Sequence, residues 1–133
     1  MTLRTLLTLS ALSMGLACGS SSTTAPTATA FIGTYTLTHI NGTALPTSLV
    51  QGTTTSQVTA GTAQITNSNT WTATFTATPS NVTLSGTYTV SSNGLNLVQT
   101  VGGQSTNTAT ITNNVMTVTI PGTPAVTFTY TKN

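Results

Sequence analysis

Apolar and hydroxylic side chains alternate along most of the chain beyond Phe31. Trp71, Ala73, Phe75 and Ala77 fall on one side, and Thr70, Thr72, Thr74, Thr76 and Thr78 fall on the other. Val126, Phe128 and Tyr130 repeat the pattern against Thr127, Thr129 and Thr131. Successive side chains of a strand point to opposite faces, so this periodicity predicts half-buried strands with a wet threonine exterior. Strands are predicted over 33–40, 57–66, 70–78, 83–91, 95–101, 105–112, 115–120 and 125–131, with 43–52 a short strand or a loop. Asn41-Gly42 and Asn93-Gly94 predict tight hairpins, whose two central residues must tolerate positive φ. Gly102-Gly103, Asn113-Asn114, Pro79-Ser80-Asn81 and Pro121-Gly122 mark further breaks.

Eight short strands joined by tight turns predict an all-β fold, an antiparallel up-and-down meander that closes as an eight-stranded barrel. Alternation fits a β-sandwich equally well, and that is the alternative architecture. The inward set mixes large residues (Tyr35, Leu37, Trp71, Phe75, Tyr88, Phe128 and Tyr130) with the small Ala73, Ala77 and Gly86. A barrel of this size is either filled by its own side chains or holds one small ligand, and these residues are the candidate cavity lining. His39 shares their face on simple alternation and would sit at the strand end, as a rim hydrogen-bonding group or a ligand contact. Gly33-Thr34-Tyr35-Thr36-Leu37 is echoed by Gly86-Thr87-Tyr88-Thr89-Val90, as a duplicated half-barrel would be.

Composition then narrows the chemistry. The chain has no Asp or Glu, two basic residues and one histidine, and threonine fills more than a quarter of it. Without carboxylates there is no carboxylate pair for glycoside hydrolysis and no acidic cage for calcium. His39 alone is too little for a zinc site. No cluster of Lys and Arg exists to neutralise nucleic-acid phosphates. The expectation is a protein with no catalytic residue, no metal and no cofactor. The same shortage of charge predicts stability that varies little from about pH 4 to 9. The branched threonine side chain favours extended backbone while its hydroxyl keeps the surface polar.

The N-terminus carries the strongest address. Arg4 precedes an apolar and hydroxylic run from Thr5 to Ala17 that is too short to span a bilayer, which takes about 20 apolar residues. A positive start, an apolar core and small residues at its end make a secretory signal. The run ends in Leu16-Ala17-Cys18, and Cys18 is the only cysteine. This resembles the lipobox of bacterial lipoproteins, although Gly15 stands where an aliphatic residue is usual. The resemblance implies cleavage before Cys18, a diacylglyceryl group on its sulfur, and anchorage to the cell envelope. Gly19 and Ser20 lack an acidic retention signal, so in a two-membrane host the outer membrane is the expected address. Residues 1–17 are thus read as a signal peptide, 18–30 as the lipidated cysteine with a flexible Ser/Thr/Ala linker, and 31–133 as one β domain.

Within that domain Gly33-Thr34-Tyr35, Asn41-Gly42, Leu45-Pro46 and the later Ser85–Val90 hairpin are similar to bacterial lipocalin-like domains, with Tyr35 in place of the usual Trp. The resemblance implies an up-and-down barrel with an apolar cavity and no conserved chemistry. The expected function is that of a membrane-anchored, non-catalytic barrel that binds a small apolar ligand or serves as an envelope structural module. The alternative is a surface adhesion module of β-sandwich form.

Overall fold

The computed structural model describes residues 26–133; the expected signal peptide and Cys18 lie outside the described residues. A short helix, α1 (Ala28–Phe31), begins inside the stretch expected to be linker. Ten strands follow: β1 (Gly33–Ile40), β2 (Thr43–Ala44), β3 (Thr47–Gln51), β4 (Thr54–Ile65), β5 (Thr70–Thr78), β6 (Val82–Ser91), β7 (Gly94–Val101), β8 (Ser105–Thr112), β9 (Val115–Ile120) and β10 (Val126–Lys132). Their order is β2-β1-β10-β9-β8-β7-β6-β5-β4-β3, and β1 also pairs with β4. That last pairing closes β1 and β4–β10 into an eight-stranded antiparallel up-and-down barrel. The sandwich alternative is thereby corrected: a closed ladder leaves no second sheet to stack.

Closure is partial along one seam. β1 pairs with β4 only from Gly33↔Ile65 to Thr36↔Thr62. Beyond that point β1 takes β2 as its partner and β4 takes β3. The 43–52 segment, expected to be a short strand or a loop, therefore supplies β2 and β3 and fills the widening gap. Both seam strands are irregular where they part, at Leu37/His39 in β1 and Val58/Ala60 in β4. An extra residue of this kind bends a strand and sharpens its twist, which suits the rim of a barrel.

Threonines cover the outside in cross-strand rows. One runs Thr127↔Thr119↔Thr108 across three strands and continues through Asn96 to Thr89. Each such pair contributes about 0.2–1 kcal/mol. Asn41 and Gly42 both have positive φ, as do Asn113 and Asn114, giving the primed turns that hairpins favour. The turn expected at Asn93-Gly94 instead has Ser92 and Asn93 at its centre, with Ser91 paired to Gly94. Gly94 opens β7 because the Ala109 carbonyl occupies the space a Cβ would need.

The two ends of the barrel differ. At one end α1 lies with Phe31 buried, and the Tyr35 hydroxyl donates to the Phe31 carbonyl oxygen at 2.7 Å. Lys132 Nζ donates to the Ala30 carbonyl at 3.2 Å and stands 5.8 Å from the Tyr35 ring centre. The Tyr88 hydroxyl donates to the Thr66 carbonyl at 2.6 Å, tying down the β4–β5 turn at the same end. The two echoed sequence segments thus place their tyrosines alike: buried, each phenol spent on a backbone carbonyl. The opposite end carries the β1–β2, β3–β4, β5–β6, β7–β8 and β9–β10 connections and, among the described residues, no covering helix.

Candidate functional site

Inside the barrel, Trp71, Ala73 and Phe75 of β5 face Phe128 and Tyr130 of β10 across a space of about 30 Å³. That holds one or two waters and no more. Phe75 and Phe128 stand at its outer side, their ring centres 5.3 Å apart at 51°. Beyond them the open end widens into a mouth of about 340 Å³, walled by Leu49, Val58, Ala77, Val82 and Leu84 together with the polar Gln51, Ser56 and Gln104. Phe75, Leu84, Gln99, Ile120 and Phe128 border both spaces. The small space is therefore the floor of the large one.

Of the residues expected to line a cavity, Trp71, Ala73, Phe75, Phe128 and Tyr130 line the chamber and Ala77 lines the mouth, while Gly86 borders neither. Tyr35, Leu37 and Tyr88 are buried in the surrounding core, at 0%, 3% and 2% exposure. Leu37 packs over Gly61, where it takes the place a side chain would occupy. His39 is corrected. The irregularity after Leu37 puts Thr38 into the strand as an extra residue, so His39 pairs with Thr129 on the outer face and Ile40 turns inward at 2% exposure. Its Nδ1 lies 3.0 Å from the Thr38 hydroxyl, on the barrel's exterior.

Two buried amides went unread in the sequence. Gln99 and Asn107 are only 7% and 3% exposed and both face the inner space. Alternation carried the signal, since Leu95, Leu97 and Gln99 share one side of β7, and Asn107 and Ala109 share one side of β8. Their polarity made them look like surface positions.

Hydrogen bonding fixes how these amides point. The Gly102 carbonyl can only accept, and Gln99 Nε2 donates to it at 2.9 Å. Gln99 Oε1 is then an acceptor, filled by the Ser105 hydroxyl at 3.3 Å. With its proton spent, Ser105 Oγ accepts from Asn107 Nδ2 at 3.0 Å. Asn107 Oδ1 stands at the end of this relay, buried and, among the described residues, without a partner. A buried acceptor left unpaired costs about 1–3 kcal/mol, and native structures contain few.

Among the described residues, no ionised side chain borders the chamber. Burial pushes the Tyr130 phenol well above its ordinary value and raises that of Tyr35 as well. An unfolded chain ionises its tyrosines near pH 10, whereas the fold keeps these two neutral. Their contribution to stability is therefore intact below about pH 10 and is lost as pH rises above it. Melting temperatures are expected to stay level from pH 4 to 9 and to fall at pH 11; a steep change between pH 5 and 8 would contradict this.

No protein-family model matches the chain, and no curated protein or solved structure does so either.

Proposed function

We propose that this chain is an exported lipoprotein, held to the cell envelope through lipid on Cys18, whose lipocalin-like barrel carries a small apolar molecule without transforming it. The observation that supports carriage is the asymmetry of the barrel: α1 lies at one end, and the other opens through a mouth of mixed polarity onto an apolar floor that reaches the barrel core. A barrel serving only as a structural module would gain stability by filling that floor, because each cavity in a core costs contacts and transfer energy. The non-catalytic reading rests on the missing carboxylates, which leave no acid to orient a base and no cage for a metal. The expected partners are the membrane and the small ligand, with no nucleic acid. In a host with two membranes the address is the outer one.

Native mass spectrometry of the protein extracted from its host's membrane tests this reading. The expected species begins at Cys18, carries the mass of a diacylglyceryl group, and includes a fraction with one further small, neutral molecule. A free thiol at Cys18 would remove the anchor, and an empty barrel in every preparation would remove the carrier.

A further inference from the structure

We infer that the chamber selects a neutral aliphatic alcohol, whose hydroxyl proton is donated to Asn107 Oδ1 while its alkyl chain lies along the mouth. This deepens the carrier reading and rests on it. Asn107 lines the chamber, and the relay from the Gly102 carbonyl through Gln99 and Ser105 leaves its Oδ1 buried and, among the described residues, unpaired. The site thus favours a ligand that brings a donor.

Charge decides which donor. A carboxylate would set acceptor against acceptor with no cation among the chamber walls. An ammonium group would bury a full charge against a single neutral oxygen, which desolvation opposes. A plain hydrocarbon would leave Oδ1 unpaired. A hydroxyl meets the need with a compact, uncharged group. Size agrees, because the inner space of about 30 Å³ admits the tip of a ligand and the mouth of about 340 Å³ admits its chain.

Two isomers separate this inference from its premise. 1-Heptanol and hexyl methyl ether have the same atoms and nearly the same length, but only the alcohol has a hydroxyl donor. Trp71, the only tryptophan, borders the chamber, so its fluorescence reports occupancy of the full chain. The alcohol is expected to bind on the order of tenfold more tightly than the ether, the size of effect one buried hydrogen bond produces. Asn107→Leu is expected to remove the preference while retaining uptake of the ether. Equal affinities of the unaltered protein for the two isomers would overturn the alcohol selectivity and leave the carrier intact, and this result does not depend on how the variant folds. Binding of neither isomer would overturn the carrier reading and the selectivity with it.

Discussion

Alanine at Gly86 is expected to cost about 3 kcal/mol, because the added Cβ meets backbone. At the Ser85/Gly86 irregularity, β6 lies so close to β7 that the Val98 carbonyl oxygen occupies the place a Cβ would take, with the Val98 carbonyl carbon and Gln99 Cα beside it. A side chain can rotate away from a new methyl group, but these atoms cannot move without parting the β6–β7 ladder. The same strand segment holds Trp71, which pairs with Gly86 and donates through Nε1 to the Thr87 carbonyl at 3.1 Å. Domains of this kind have about 5–15 kcal/mol of stability in all, so the loss is a large share of it. Urea denaturation followed by Trp71 fluorescence measures it. Thr87→Ala, next door on the exposed face, is expected to stay within about 0.5 kcal/mol of the parent. A Gly86→Ala midpoint as close to the parent as that of Thr87→Ala would show that the strands can separate at no cost.

The barrel was legible in the sequence because threonine made its alternation plain. Thr70–Thr78 and Val126–Thr131 read as half-buried strands, and both are walls of the barrel with the expected inward faces. The phase of β1 was not legible beyond Leu37. Counting by twos cannot register an inserted residue, so it puts His39 on the inward face, whereas the structure turns His39 outward and buries Ile40. The Asn93-Gly94 turn failed for a different reason. Gly94 is required by the approach of the Ala109 carbonyl from β8, a long-range contact that mimics a local turn signal.

The candidate site was half legible. Large aromatic residues on alternating positions announced themselves, and Trp71, Phe75, Phe128 and Tyr130 form the chamber. The polar part was hidden by the composition that revealed the fold. In a chain where the polar residues of each strand mark the outside, Gln99 and Asn107 look like two more surface positions. Only the pairing of β7 with β8 brings Gln99 beside Ser105 and so builds the relay that ends at Asn107.

The second large effect is expected at Phe128, whose ring stands between chamber and mouth against Phe75. Truncating a buried phenylalanine to alanine costs about 3–5 kcal/mol through lost transfer energy and the cavity left behind. Here the new space widens the passage between chamber and mouth, so Phe128→Ala is expected to gain room for a ligand as it loses stability. A ligand that binds only the folded protein raises its stability in proportion to the logarithm of its concentration over Kd, about 2.7 kcal/mol at a hundredfold excess over Kd. Thermal melting of the parent and of Phe128→Ala, each with and without 1-heptanol, therefore puts the central claim of an apolar chamber entered from one end to its most direct test. The account expects the alcohol to raise both melting temperatures and to raise that of Phe128→Ala more, restoring part of its loss. Melting curves of both proteins left unmoved by the alcohol would contradict it.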